Sequence, residues 1–232
     1  MGMSVRQCVI LVGGAGTRLG KLTHNTPKPM LPVAGRPFLE HLIEKAAGHG
    51  FNHILLLAGH QAHIAQDWVS RAQIDQKYSV EISWSVEDTP LGTGGALVHA
   101  RNHLDEAFLL VNGDTWFDFD WRSLADDDAF SVMLALREVA VADRYETVDL
   151  EGNFVRRFIP RGGVTQAGLI NGGVYRLSRE VVPDGIRVMS LEQNLLTNLA
   201  RDQKLGGRIF SGAFIDIGVP ESYAAAQDLL AR

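Results

Sequence analysis

The chain has 232 residues, a net charge of −5 and a hydrophobic content of 46%. This length and apolar content are typical of one folded domain with a substantial core, and they exclude a disordered chain. The negative charge argues against a partner nucleic acid, because proteins that bind nucleic acids usually carry a basic face. The single cysteine, Cys8, allows no disulfide within the chain.

Apolar runs alternate with segments of helical period along the chain. This alternation predicts an α/β fold, with a Rossmann-like, mostly parallel sheet flanked by helices, in a single domain over residues 1–232. The predicted strands are residues 8–12, 54–58, 80–86, 108–112, 130–136 and 168–177. The predicted helices are residues 38–47, 64–72, 95–101, 190–200 and 220–230. Residues 147–150 and 153–158 flank Glu151-Gly152, a pattern typical of a hairpin, so we expect a smaller antiparallel β lid over the sheet.

The first apolar run covers only five residues, 8–12. It is too short for the apolar part of a secretion signal or for a membrane span. We therefore expect a cytoplasmic protein with no membrane partner.

A glycine-rich turn follows the first predicted strand, and two cations follow the turn. The glycines lie at positions 13, 14 and 16; Arg18 lies just beyond them, and Lys28 lies between two prolines. Exposed backbone amides and two fixed cations are the groups that a triphosphate site needs. A P-loop is excluded because no Lys-Ser or Lys-Thr follows a glycine, and the dinucleotide fingerprint fails because Leu19 occupies its third glycine position. A turn that used glycine only for backbone freedom would need neither Arg18 nor Lys28.

The sequence G-G-x-G-T-R-L over residues 13–19, followed by P-K-P-M-L-P, resembles the signature of the sugar-phosphate nucleotidyltransferases. Four later segments extend the resemblance in the family's order: P-L-G-T-G-G-A at 90–96, V-N-G-D-T at 111–115, N-G-G-V-Y at 171–175 and F-I-D-I-G-V-P at 214–220. The resemblance covers nearly the whole chain. It implies transfer of a nucleotidyl group from a nucleoside triphosphate to a sugar 1-phosphate, with pyrophosphate as the other product.

The resemblance also implies roles for the charged residues. Arg18 and Lys28 would neutralise the triphosphate, and Asp114 and Asp216 would share one Mg²⁺. The chemistry of the residues agrees, because Asp114 ends a predicted strand after Asn-Gly, where a carboxylate can hold Mg²⁺ beside phosphates. Asp216 lies between apolar neighbours and would be costly to bury without a counter-charge.

Contacts to the nucleotide are expected from the glycine turn, and the resemblance implies further contacts from the loop after the strand 80–86. The candidate nucleotide-binding residues are Leu11, Gly13, Gly14, Gly16, Thr17, Glu87 and Gly92. The candidate sugar-phosphate residues are Asn112, Arg161, Asn171 and Gly172. Many relatives carry Glu-Lys-Pro after the central hairpin, where this chain has F-I-P-R-G-G over residues 158–163. Arg161 is therefore the expected substitute for the family lysine, and the loss of the glutamate indicates a less common sugar.

Within the family, segments 90–96 and 112–115 are similar to guanylyltransferases that act on D-glycero-α-D-manno-heptose 1-phosphate, which implies GTP as the nucleotide. Two alternatives stay open. One is a uridylyltransferase for N-acetylmuramate 1-phosphate or a hexose 1-phosphate, and the other is a non-catalytic regulatory homologue. The four charged residues Arg18, Lys28, Asp114 and Asp216 argue against the regulatory alternative. Apolar positions in residues 181–188 suggest a contact between copies, so a homo-oligomer is a further expectation.

Overall fold

The computed structural model describes residues 4–14, 16–160 and 166–231. Its strands, in chain order, are β1 (Gln7–Leu11), β2 (Pro32–Val33), β3 (Arg36–Pro37), β4 (His53–Ala58), β5 (Glu81–Val86), β6 (Ala107–Asn112), β7 (Thr115–Phe117), β8 (Val132–Val139), β9 (Thr147–Glu151), β10 (Phe154–Ile159), β11 (Gly168–Ser178), β12 (Leu205–Ile209) and β13 (Phe214–Asp216). Its α-helices are α1 (Phe38–Gly48), α2 (Ala62–Arg71), α3 (Ile74–Tyr78), α4 (Gly92–His99), α5 (Trp121–Ala125), α6 (Thr197–Arg201) and α7 (Pro220–Leu230). A π-helical segment, Leu191–Leu196, leads into α6.

Within the described residues, nine strands form one mixed sheet in the order β5-β4-β1-β6-β11-β8-β12-β10-β9. The first four strands of this order are parallel to one another. β1 and β4 are almost continuously apolar and buried, as expected of parallel strands that are covered on both faces. The carboxyl ends of these four strands lie at one edge of the sheet, where ligands bind in open α/β sheets.

Apolar residues cover both faces of the sheet. Along β1, Cys8 and Ile10 belong to one buried cluster together with Phe38 and Leu42 of α1. Val9 points to the opposite face and belongs to a second cluster with Leu97 of α4, because successive side chains of a strand alternate between faces. The predicted α/β fold with flanking helices is confirmed.

The antiparallel strands differ in placement from the expected lid. The hairpin of β9 and β10 joins the main sheet through β12 and forms its edge. β11 runs antiparallel to both β6 and β8, and its register shifts between Asn171 and Tyr175. Its first half also pairs with β9, through Ile170 and Thr147. The antiparallel part is therefore an extension of one sheet and not a separate layer, because the long strand β11 bridges both parts.

Several elements begin elsewhere than predicted or were not predicted. Helix α4 begins at Gly92, three residues before the predicted start, and β8 covers Val132–Val139. The pair β7 and β13 was not predicted, because each strand has only three residues. No helix in the described ranges combines the length and the apolar character that a membrane crossing requires.

Candidate active site

Two adjoining cavities open at the carboxyl edge of the parallel strands. The larger one, of about 530 Å³, extends along the loop after β5, and the smaller one, of about 300 Å³, extends toward the end of β6. Leu11, Gly13, Gly14 and Thr93 line both cavities. The end of β1 and the glycine turn therefore form the wall that the two cavities share.

The glycine turn needs glycine at two of its positions. Gly14 has a φ of 109° and Gly16 a φ of 57°, backbone conformations that other residues rarely adopt. The hydroxyl of Thr23 donates to the carbonyl of Gly16 at 2.9 Å and holds the turn in place. Gly16 and Arg18 both line the smaller cavity. The side chain of Thr17, a predicted nucleotide contact, lies outside the described part.

Lys28 and Asp114 form an ion pair in the smaller cavity. Lys28 Nζ donates to Asp114 Oδ2 at 2.8 Å, and the two side chains are 13% and 31% exposed. Gly113 brings Asp114 to this point, because its backbone N–H donates to the carbonyl of Leu11 at 3.0 Å. A Cβ at position 113 would lie only 2.1 Å from that carbonyl oxygen, so a larger residue could not make this approach.

Asp216 reaches the same region from the other end of the chain. β13 pairs with β7 so that Asp216 lies opposite Thr115, and the N–H of Ile217 donates to the carbonyl of Asp114 at 2.8 Å. A Cβ at Gly218 would lie 2.7 Å from Asp216 Oδ1 and 3.5 Å from Arg18 Nη2. The carboxylate and the guanidinium therefore approach one point beside Gly218.

Tyr145 and Arg144 also contact Asp216. The hydroxyl of Tyr145 donates to Asp216 Oδ2 at 2.7 Å, and Arg144 Nη2 lies 3.9 Å from the same oxygen. Asp216 Oδ1 accepts the N–H of Gly218 at 3.0 Å. The apolar neighbours of Asp216 in the sequence cannot stabilise its carboxylate. Tyr145 and Gly218 supply hydrogen bonds to it, and Arg144 supplies a counter-charge.

Asp114 and Asp216 offer the donor chemistry that Mg²⁺ prefers, namely carboxylate oxygens. Both side chains are partly exposed, and each carboxylate oxygen can accept more than one contact. The donor chemistry and partial exposure of the two acids therefore suit a divalent cation. Among the residues that the structure describes, no group of three or more His, Cys, Asp or Glu side chains is arranged to bind a metal.

Glu87 lies in the larger cavity, where the loop after β5 begins. Its Oε2 accepts the backbone N–H of Leu91 at 3.3 Å. Burial raises the pKa of the Glu87 carboxyl above its ordinary value, although the Leu91 N–H opposes this effect. A partly buried carboxylate with one oxygen free of this contact is suited to accept N–H donors from a ligand.

Gly92 also lines the larger cavity, but packing is the reason that this position requires glycine. Its φ is 78°, and a Cβ there would lie 2.6 Å from the carbonyl oxygen of Met189. The same carbonyl accepts the N–H groups of Gly94 and Gly95. The first amides of α4 are therefore bonded to the segment before the π-helix.

The predicted sugar-phosphate residues divide into three groups. Asn112 lines the smaller cavity, and its buried Oδ1 accepts no hydrogen bond from any described residue. Asn171 and Gly172 line neither cavity. Asn171 donates to the hydroxyl of the buried Tyr175 at 2.8 Å. Arg161 lies outside the described residues.

Gly172 is fixed by packing against an aromatic ring. A Cβ at this position would lie 2.6 Å from the ring of Phe117 and 2.9 Å from the carbonyl of Ala135. The room that glycine leaves is therefore filled by Phe117. The expectation that this room admits a sugar does not agree with the packing.

Sequence reasoning missed two polar side chains that line the smaller cavity, those of Thr93 and Glu192. The Thr93 hydroxyl donates to Glu192 Oε2 at 3.1 Å and accepts the N–H of Leu191 at 2.8 Å. The signal for Thr93 was present, because it lies within the segment 90–96. Glu192 carried no such signal, because an acid in the first turn of a helix is common for dipole reasons alone.

The chain was compared with known proteins. The family model for nucleotidyl transferases matches residues 7–232. The chain is 34% identical over 221 residues to a D-glycero-α-D-manno-heptose 1-phosphate guanylyltransferase from Campylobacter jejuni, covering 94% of this chain and 96% of the relative. It is 32% identical to the enzyme of the same name from Aneurinibacillus thermoaerophilus, covering 95% and 96%.

A solved structure shares the fold. HddC from Yersinia pseudotuberculosis, complexed with GMP-PN, superposes with a TM-score of 0.86 at 30% identity, covering 97% of this chain and 99% of that one. The match to the family model over almost the whole chain agrees with the glycine turn and the acids at the carboxyl edge. The chain therefore belongs to the nucleotidyl transferase family.

Proposed function

We propose that this chain transfers a guanylyl group from GTP to D-glycero-α-D-manno-heptose 1-phosphate, giving GDP-heptose and pyrophosphate. The observation that carries the proposal is the joint position of Arg18, Lys28 and Asp114 around one cavity at the end of β1 and β6. The names of the relatives from C. jejuni and A. thermoaerophilus support the choice of substrates.

In the proposed reaction, an oxygen of the sugar phosphate attacks the α-phosphorus of GTP in line. A new P–O bond forms, the bond between the α-phosphorus and its bridging oxygen breaks, and pyrophosphate leaves with the electron pair. The nucleophile is already anionic, so no general base is required. Catalysis then depends on positioning and on neutralising charge, the roles of Arg18 and Lys28.

We assign the larger cavity to the nucleoside. Leu11, Gly13 and Gly14 of the shared wall, together with Gly92, line this cavity and are assigned to the base and ribose. The Glu87 carboxylate can accept the ring N–H and the amino group of guanine, which uracil cannot offer in the same arrangement. Gly16, and Thr17 through its backbone, are assigned to the phosphates.

Asp114 and Asp216 are the residues that we propose to hold Mg²⁺, which when bound would neutralise charge on the phosphates. Lys28 holds the Asp114 carboxylate in the cavity through its ion pair. Tyr145 orients the Asp216 carboxylate through its hydrogen bond. Both contacts fix the acids before substrate binds.

For the sugar phosphate, Asn112 is the residue best supported by its surroundings. Its Oδ1 has no partner among the described residues and is costly to leave buried, and a sugar hydroxyl could donate to it. Asn171 and Gly172 are assigned a supporting role behind it, since a Cβ built at the neighbouring Gly173 would lie only 3.1–3.3 Å from the Asn112 side chain. Arg161 stays the proposed clamp on the sugar phosphate.

The remaining expectations are also proposals. We propose that residues 1–232 act as one domain and that the enzyme works in the cytoplasm, where a nucleoside triphosphate is available. The exposure of Ile186 and Val188, at 70% and 76%, supports a contact between copies. Size-exclusion chromatography of wild type and Val188→Asp would test that contact, since a dimer should dissociate in the variant.

The substrates are tested by pyrophosphate release with Mg²⁺ present. GTP, UTP, CTP and dTTP are each paired with heptose, mannose, glucose and N-acetylmuramate 1-phosphates, and kcat/KM is compared. We expect GTP with the heptose 1-phosphate to give the highest value. A higher kcat/KM with UTP would establish the uridylyltransferase alternative. If no pair of substrates released pyrophosphate, the result would favour the non-catalytic regulatory homologue.

A further inference from the structure

A third cavity, of about 630 Å³, lies at the opposite edge of the sheet from the candidate active site. It opens where β6 begins at Ala107 and where β11 ends at Ser178, two residues that pair across the strands. Three guanidinium groups line it, those of Arg101, Arg176 and Arg179. We call it the arginine cavity. The length of β6 separates it from Asn112 by roughly 16 Å.

Arg176 is the unusual member of this set. The residue is only 9% exposed, yet no carboxylate of the described residues lies within 4.0 Å of it. Its hydrogen bonds leave from Nη1, to the carbonyl of Phe130 at 3.1 Å and to the hydroxyl of Ser178 at 2.9 Å. Nε is buried and has no acceptor in the described part of the chain. A buried cation without a counter-charge and with an unpaired donor is costly on both counts.

The remaining donors of Arg176 lie side by side on one edge of its guanidinium. Nε and Nη2 form one edge of the planar guanidinium, and neither donates to a described residue. Such an edge matches two oxygens of a carboxylate or phosphate through parallel hydrogen bonds. The unmet donors therefore indicate the kind of ligand that would satisfy them.

Three arginines and two glutamates line the cavity, so its lining carries a net charge of +1. Arg179 donates from Nη1 to the carbonyl of Leu104 at 2.9 Å, and within the described ranges it forms no ion pair. Arg101 pairs at 3.2 Å with Asp184, whose side chain is 87% exposed. Glu106 and Glu180 also line the cavity, and Glu180 accepts the hydroxyl of Ser131. Both glutamates are solvent-exposed and lie beyond 4.0 Å from the three guanidiniums.

We propose that the arginine cavity binds a small oxyanion of the phosphate class. The Nε–Nη2 edge of Arg176 holds two of its oxygens, and Arg179 and Arg101 neutralise its charge. The site is separate from the candidate active site and does not depend on the proposed function. Since β6 and β11 each run from this cavity to the other edge, the two sites lie on the same pair of strands.

The test is calorimetric titration of the full chain with pyrophosphate in buffer without Mg²⁺. Wild type is compared with Arg18→Ala, which impairs the candidate active site, and with Arg179→Gln, which impairs the arginine cavity. Arg71→Gln is the matched control, because it removes the same charge from an exposed side chain on α2. In the Arg18→Ala background, binding should persist, and adding Arg179→Gln should weaken it by at least about tenfold.

Two results would overturn the proposal: loss of all binding in Arg18→Ala, or identical titrations for Arg179→Gln and Arg71→Gln in that background. Arg176→Lys keeps the charge but removes the two-donor edge, so in the Arg18→Ala background it should bind pyrophosphate more weakly than Arg71→Gln does. Parallel titrations of Arg18→Ala with inorganic phosphate and with methyl phosphate, which carries neither guanine nor a sugar, identify the source of the anion. Equal affinities would indicate the free ion, and tighter binding of methyl phosphate would indicate a phosphate monoester.

Discussion

Arg18 carries the electrostatic part of the proposed mechanism at the level of a single residue. It lines the smaller cavity and approaches Asp216 beside Gly218. We expect Arg18→Ala to lower kcat by about 10²–10³-fold, the usual effect of removing one group that stabilises transition-state charge. Its urea midpoint should match that of wild type, because the side chain is exposed. Arg71→Ala is the control, and equal rates for the two variants would contradict the role of Arg18.

Glu87 links the candidate nucleoside site to the pH dependence of stability. Burial raises the pKa of its carboxyl, so the unfolded chain ionises at a lower pH than the folded one. The contribution of Glu87 to the free energy of unfolding is therefore fully present below the pKa of this carboxyl in the unfolded chain, near 4.3. It is lost as the pH rises through the higher pKa of the folded chain. Glu87→Gln, whose amide oxygen can still accept the Leu91 N–H, removes this loss.

We expect Glu87→Gln to be more stable than wild type at pH 7 and equal to it near pH 4. Urea denaturation at several pH values measures this difference, with the exposed Glu81→Gln as a control that should show no trend. The same variant should raise the KM for GTP, because an amide cannot accept both donors of guanine. A variant with lower stability at pH 7 and an unchanged KM would show that the carboxylate serves neither purpose.

At the level of elements, Gly172 shows how a strand glycine can be mistaken for part of a pocket. Phe117 fills the space beside it and packs its ring 4.8 Å from that of Phe119 and 5.5 Å from that of Phe214. The ring is held on several sides and cannot move away. We expect Gly172→Ala to lower the free energy of unfolding by about 1–3 kcal/mol.

Gly48→Ala is the matched control for Gly172→Ala. Gly48 is the last residue of α1, and nothing lies within 4 Å of a Cβ built there. Alanine at this position should leave stability unchanged or raise it by up to about 1 kcal/mol. Equal urea midpoints for the two variants would show that Phe117 does not restrict Gly172.

The elements that sequence predicted well are those whose pattern is local. β1, β4 and β6 are short apolar runs, and α1 has a clear helical period, so burial alone identifies them. β7, β12 and β13 were missed, because two of them have three residues and β12 contains two adjacent glycines. The start of α4 was misplaced because Gly92 to Gly94 are poor helix formers, and the contact to Met189 that orders them is distant in sequence.

At the level of the whole molecule, the site is assembled from segments far apart in the chain. The sequence motifs identified Arg18, Lys28, Asp114 and Asp216 as site residues. The topology explains why these residues lie close together, since β1 and β6 are neighbours and β13 pairs with β7. The partners were not predictable. Tyr145, which contacts Asp216, lies in the loop between β8 and β9, and Glu192, which contacts Thr93, lies in the π-helical segment. No local pattern encodes where these segments pack.

Cys8 can report on the integrity of this whole assembly. It is the single cysteine, it is fully buried in β1 between β4 and β6, and burial raises the pKa of its thiol. Because only the thiolate reacts, alkylation requires the sheet to open. We expect the free energy of opening, obtained from the rate of Cys8 alkylation, to equal the free energy of unfolding obtained from urea denaturation. Val188→Cys in a Cys8→Ala background, at a 76% exposed position, should react as fast as a free thiol. A markedly lower free energy from Cys8 would mean that β1, and the glycine turn it carries, opens without global unfolding.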